Sequence, residues 1–208
     1  IELHYRCFND PRLFPLNIDQ VLKEQRFLTI AGRQVQTLTI EDTILYLCVH
    51  GSLHAWFRLF WLCDIAEILE KSDTIDWVWL MTRAAEMRVK RFLVYGLVIS
   101  NLLLSSPLPA SMVAYVDQDK GVFTLIQMAL RIMNGPEDLP YRPFSYPYIL
   151  EKLYELKLCS NLRYKFFVCL RYLNTIPYDW QAVPLPDSLF PLYYILRPFL
   201  WFWRWCAK

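Results

Sequence analysis

Glycine is scarce, with five in 208 residues. None falls in a GxxxxGK[ST] or GxGxxG pattern, so neither kind of phosphate-cradling loop is built within these residues. HExxH is missing too. The nearest approach is HGSLH at 50–54, where Gly51 stands in place of the carboxylate base of a zinc protease. There is no GxSxG elbow for a serine nucleophile. The six cysteines, at 7, 48, 63, 159, 169 and 206, form no CxxC pair. Most sit inside apolar helical runs, which reads as buried free thiols in a reducing compartment, hence a cytoplasmic protein. A net charge of +2 gives no strong pull toward nucleic acid.

An uninterrupted membrane-spanning run is lacking as well. Phe92–Leu104 is shorter than the roughly 20 residues a bilayer requires. Leu189–Cys206 is long enough but contains Pro191, Arg197, Pro198 and Arg204. Arginine is costly at mid-membrane and proline breaks a helix. The first expectation there is a buried terminal helix, and the second an interfacial membrane contact. The opening IELHYR does not read as a signal peptide, and the first residue is not Met. The chain opens inside a strand, so the expectation is a fragment of a longer protein.

What the chain has in excess is apolar and aromatic residues, 55% and 16%. A large core follows, and a partner or membrane surface comes into consideration. Ile1–Arg6 alternates apolar and polar residues as a half-buried strand does. Asn17–Glu24 reads as a short helix capped by Asn17. Arg26–Ile30 and Gln34–Leu38 are extended runs joined by Ala31–Gly32–Arg33, a hairpin signal. Thr39 followed by Asp42 is an acidic form of the helix-capping signature. Beyond it the chain reads almost wholly as helices, with Pro-rich connectors at 136–147 and 177–186. Asn101 is expected to satisfy a helix exit.

The densest stretch is Thr39–Glu70, TIEDTILYLCVHGSLHAWFRLFWLCDIAEILE. At about 100° per residue, His50, His54, Trp61 and Asp64 fall on one side of a helix, with Arg58 at its edge. Cys48, Leu59, Leu62, Cys63 and Ala66 fall on the other. Such a helix either lines a cleft or is buried with its polar groups paired. A break at Gly51 divides these residues between two helices. His50 and His54, at i and i+4, are a possible metal pair, and a metal hydrolase built on them is a third option, but no third ligand is placed by spacing.

IELHYR and the segment LTIAGRQVQTLTIEDTILYLCVHGSLHAWFRLFWLCDIAEIL resemble a poorly characterised nucleotidyltransferase-like family of bacterial proteins. Its members show an ElHw strand, then AGxxvxtLxxED, then LcxHGxxHxWxrLxWlcDiaxLl. A tail similar to LPxxLxxLYYxxRP stands at Leu185–Pro198. The resemblance implies an α+β, predominantly helical fold. Residues 1–38 would be the hairpin-bearing remnant of a nucleotidyltransferase-type sheet, and residues 39–208 a helical domain. It implies an NTP substrate, Mg²⁺ held by three carboxylates, and attack of an acceptor hydroxyl on the α-phosphorus. Glu2 matches the third carboxylate and is the one catalytic and metal-binding residue carried over. His50, His54, Arg58 and Asp64 match the helical motif, facing the nucleotide cleft or bracing the helices on the sheet. The family's GS and DxD elements belong upstream of the ElHw strand. The expectation is thus the C-terminal part of a nucleotidyltransferase, inactive alone, whose acceptor is unknown. The alternative is a non-catalytic helical module docking on a protein or membrane surface through its Trp-rich tail, which calls for an exposed apolar patch around residues 196–205.

Overall fold

The computed structural model describes residues 26–72, 74–135, 145–173 and 177–206. The expected Ile1–Arg6 strand and Asn17–Glu24 helix lie outside the described residues. Strands β1 (Arg26–Ile30) and β2 (Arg33–Thr37) pair antiparallel, with Leu28 opposite Val35. Ala31 and Gly32 between them have φ of 49° and 75°. Two left-handed residues in a two-residue loop match the twist of the flanking strands. Phe27, Leu28, Ile30 and Val35 remain exposed.

Helices follow in chain order. They are α1 (Ile40–Leu53), α2 (Phe60–Lys71), α3 (Trp77–Glu86), α4 (Lys90–Leu104), α5 (Ala110–Gln118) and α6 (Lys120–Met133). Then come α7 (Tyr146–Lys157), α8 (Leu162–Leu173), α9 (Pro177–Ala182), a 3₁₀ turn (Asp187–Leu189) and α10 (Leu192–Cys206). The fold is α+β and predominantly helical. Thr39 starts α1 as its residue type predicts, its Oγ1 accepting from the Asp42 amide at 3.1 Å.

The core is organised around α4. Every residue from Phe92 to Leu97 is buried, which is what a run apolar on all sides requires in water. α1, α2, α3, α5 and α6 all pack against it. At the crossing with α1, Gly96 faces Cys48, and a Cβ there would lie 2.6 Å from Cys48 Sγ and 2.9 Å from its Cβ. Glycine therefore sets the approach of the two helices. Polar ties reinforce the apolar contact. Tyr154 of α7 donates to the Ser52 carbonyl at 2.6 Å and lies 3.2 Å from the Tyr95 hydroxyl of α4. Arg91 at the start of α4 donates twice to Asp119, at 2.7 and 2.9 Å, and once to the Lys157 carbonyl at 3.2 Å. The lone Asn101 does satisfy the helix exit, its Nδ2 donating to the Ser106 carbonyl at 2.6 Å.

Two expectations are corrected. The thiols are not uniformly buried: Cys48 is, Cys159 is half-buried, and Cys63 and Cys169 are exposed. The terminal segment is neither broken by proline nor buried. α10 continues through Pro198, because an internal proline removes one hydrogen bond while the side chains around it still anchor the helix. Tyr193 and Leu200 are buried, and Arg197 pairs with the buried Asp179. Ile195, Phe199, Phe202 and Trp203 are exposed. No helix among the described residues is long and apolar enough to cross a membrane.

Two outcomes follow from this core. Alanine for glycine normally favours a helix by about 1 kcal/mol. At Gly96 it overpacks the α1–α4 crossing, so Gly96→Ala is expected to cost about 1–3 kcal/mol in urea unfolding. An unchanged or raised midpoint contradicts the close crossing. Burial also pushes the Cys48 thiol and the Tyr95 and Tyr154 hydroxyls up, and the Cys159 thiol to about 11. These groups hold their protons more tightly folded than unfolded. Their contribution is complete below the ordinary values of 9.0 for thiol and 10.0 for phenol and is lost as pH rises through the folded values. Stability measured by urea unfolding is expected to hold level up to about pH 9 and to fall from there to pH 11; a rise over that range contradicts the assignment.

Candidate functional site

The polar stretch around His50 does not form one helix. α1 ends at Leu53, and the next residues fold back on it: the Trp56 amide donates to the Gly51 carbonyl at 2.9 Å and the Ala55 amide to the Ser52 carbonyl at 3.2 Å. Ala55 and Trp56 are consecutive left-handed residues, with φ of 49° and 58°. For residues bearing a Cβ this conformation costs about 1–2 kcal/mol each. The compensation lies in the Trp56 ring. It is fully buried and occupies the space beside Gly51, where a Cβ would stand 2.1 Å from it. Its edge meets the Tyr95 ring at 6.0 Å between centroids. Ser52 leaves no loose polar group beneath it, since its hydroxyl donates to the Cys48 carbonyl at 2.6 Å. Thus Gly51 receives the indole, and the indole holds the reversal.

That reversal carries the chain through Phe57, Arg58 and Leu59 into α2 and returns Trp61 to the end of α1. The ring centroids of His50 and His54 are 4.8 Å apart. Trp61 lies edge-on to His50 at 4.8 Å and tilted to His54 at 5.4 Å. Tyr46 stacks on His50 from one turn below, at 5.6 Å. Phe57 meets both His54 and Trp61. The Arg58 guanidinium lies 5.3 Å from the Phe57 ring centre and 6.0 Å from that of Trp61. Trp61 is buried, His50 half-buried, and His54, Phe57 and Arg58 exposed. The cluster is therefore open on one side. Its floor is aromatic and its rim carries one permanent cation. His50 occupies the last turn of α1, where the helix dipole favours positive charge.

Of the residues singled out from sequence, the structure brings His50, His54 and Arg58 together around Trp61. Asp64 lies one turn beyond Trp61 on α2, exposed, and its side chain joins no ion pair or hydrogen bond among the described residues. Glu2 lies outside the described residues. On the opposite face, Cys48, Leu62 and Ala66 are buried as expected, but Leu59 and Cys63 are exposed. The cause is the reversal, which rotates α2 relative to a continued α1. Tyr46 was missed although it stands four residues before His50, the spacing that aligns side chains on a helix. Phe57 and the structural pair Gly51 and Trp56 were missed because their roles come from the turn.

Among the described residues, no group of three or more His, Cys, Asp or Glu side chains gathers to hold a metal ion. Mg²⁺ takes oxygen ligands, and two imidazoles beside an indole do not fit it. The cluster suits a flat ring with an anionic group near Arg58.

The description of an uncharacterised nucleotidyltransferase matches residues 1–105 of this chain. That is half of its length, and the chain belongs to that family. No curated protein and no solved structure matches it. The matched region closes at Ser105, the left-handed residue that ends α4. It contains the hairpin, α1 to α4 and the entire ring cluster, whereas the tail at Leu185–Pro198 lies beyond it.

The seating of Trp56 on Gly51 makes a prediction with a sign change. Gly51→Ala in the natural chain displaces the indole, and its expected cost is close to that of Trp56→Ala, about 3–5 kcal/mol. In the Trp56→Ala background the clash is gone, and Gly51→Ala is expected to become neutral or stabilising by up to about 1 kcal/mol. A double-mutant cycle in urea measures this. Additive effects contradict the contact.

Proposed function

We propose that this chain forms the helical wall of a nucleotidyltransferase site, with the cluster at the α1–α2 reversal meeting the nucleotide. The open ring cluster, sited within the family-matched region, carries the reading. The faces of His54 and Phe57 offer stacking for a base. Arg58 offers charge and donors for phosphate oxygens, with His50 beside it in the same ring cluster. Asp64, exposed on α2, is in reach of a polar acceptor arriving along that helix. The reaction is transfer of a nucleotidyl group from an NTP to an acceptor. The acceptor's oxygen bonds to the α-phosphorus while the bond to the pyrophosphate oxygen breaks. Arg58 would offset the negative charge that gathers on the departing pyrophosphate.

In this reading residues 1–38 belong to the sheet-bearing part and residues 39–208 to the helical part. The exposed Leu28, Ile30 and Val35 of the hairpin support that division, since an isolated two-stranded hairpin is marginal in water and gains stability from further strands. Glu2 is the proposed contribution of this chain to a carboxylate set holding Mg²⁺. The enzyme is proposed to act in the cytoplasm.

Titration of each NTP into the 208-residue chain, with and without Mg²⁺, tests the cluster. Binding is expected, and Arg58→Ala and His54→Ala are each expected to weaken it about tenfold, the scale of one lost charge-assisted contact. Binding that both substitutions leave unaltered, or no binding to any NTP, would remove the cluster from the nucleotide site.

A further inference from the structure

Beyond residue 105 lies a second exposed feature. On α8, Leu162, Phe166 and Leu170 are exposed at four-residue steps, which aligns them along one side of the helix. On α10, Ile195, Phe199, Phe202 and Trp203 are exposed at the same helical spacing. α10 packs against α8. Its inner side is apolar too, with Tyr193 and Leu200 buried. A helix apolar on both sides is ordinarily covered on both.

Charge identifies the cover. Neither α8 nor α10 contains an acidic residue. From residue 157 onward, basic residues stand at 157, 163, 165, 171, 197, 204 and 208 against Asp179 and Asp187 alone, while the chain before them has an acidic excess. Asp179 is buried and paired with Arg197, and Arg171 is paired with Glu155 of α7, so the described cations left to this face are Arg163 and Lys165. Arg163 is exposed and Lys165 half-buried, both within a turn of Phe166. Two copies meeting face to face across a twofold axis would set this basic surface against itself. Aromatic and aliphatic residues accompanied by cations of one sign match the interfacial layer of an anionic bilayer.

We propose that the α8–α10 face binds the surface of an anionic lipid membrane. Phe166, Phe199, Phe202 and Trp203 enter the headgroup–acyl boundary, and Arg163 and Lys165 meet lipid phosphates. No segment spans. The inference is independent of the nucleotide reading, because none of these residues lies in the ring cluster.

Vesicle flotation of the 208-residue protein tests it, using phosphatidylcholine alone and phosphatidylcholine mixed with phosphatidylglycerol. The protein is expected to float with the anionic vesicles at least tenfold more than with the neutral ones, and less as salt rises. Phe199→Ser with Trp203→Ser is expected to reduce flotation at least tenfold with an unchanged circular dichroism melt. Arg163→Glu with Lys165→Glu is expected to abolish the preference for phosphatidylglycerol. Brominated lipids are expected to quench the tryptophan fluorescence of the natural chain, a readout that needs no variant. Absence of flotation and quenching, or flotation indifferent to both double substitutions, overturns the proposal. So does light scattering that shows a dimer converted to monomer by the Phe199 and Trp203 substitutions, which would assign the face to a second copy.

Discussion

The seat of Trp56 on Gly51 is the constraint from which the site follows. A helix ending at Leu53 has no obligation to reverse, and two left-handed residues with Cβ atoms oppose it. Burial of a whole indole offsets much of that strain, at about 1.5–3 kcal/mol for a large apolar side chain. The burial is possible because position 51 carries no Cβ. Once the turn is fixed, Trp61 must come back to the end of α1, and His50 and His54 acquire an aromatic neighbour that their own helix does not supply. Strain held at a cluster of this chemistry is what functional sites tend to store.

The same economy of small residues shapes the core behind it. Gly96 allows α1 to lie on α4, and the buried hydroxyls of Tyr95 and Tyr154 link α1, α4 and α7. These contacts hold Ser52, and with it the base of the reversal, from the far side of the core. The family-matched region ends with α4, yet Tyr154 of α7 reaches back to Ser52. The later helices therefore brace the matched half and also carry surface chemistry of their own.

Local chemistry was legible in the sequence. Thr39 capped its helix, Ala31–Gly32 turned the hairpin, and Asn101 closed a helix end, each by a rule that operates within a few residues. The helical character from Ile40 onward was legible for the same reason. The face assignment of the 50–64 stretch was only half readable. Gly51 marks a break, but alanine and tryptophan give no sign of a left-handed pair, since neither favours it. The exposure of Leu59 and Cys63 follows from that unseen turn. At the tail, Pro198 pointed to a broken helix and apolar composition to burial. The helix instead runs on, with Tyr193 and Leu200 buried among its described side chains, because tertiary anchoring outweighs one missing hydrogen bond.

The central claim is that the reversal presents His50, His54 and Trp61 to a nucleotide. The most direct measurement is NMR of the histidine imidazoles and tryptophan indoles during addition of an NTP to the natural chain. Saturable shifts are expected at His50, His54 and Trp61, with the Trp180 and Trp203 indoles unmoved. Shifts confined to other tryptophans, or none at His50 and His54 while the nucleotide is bound, would contradict it.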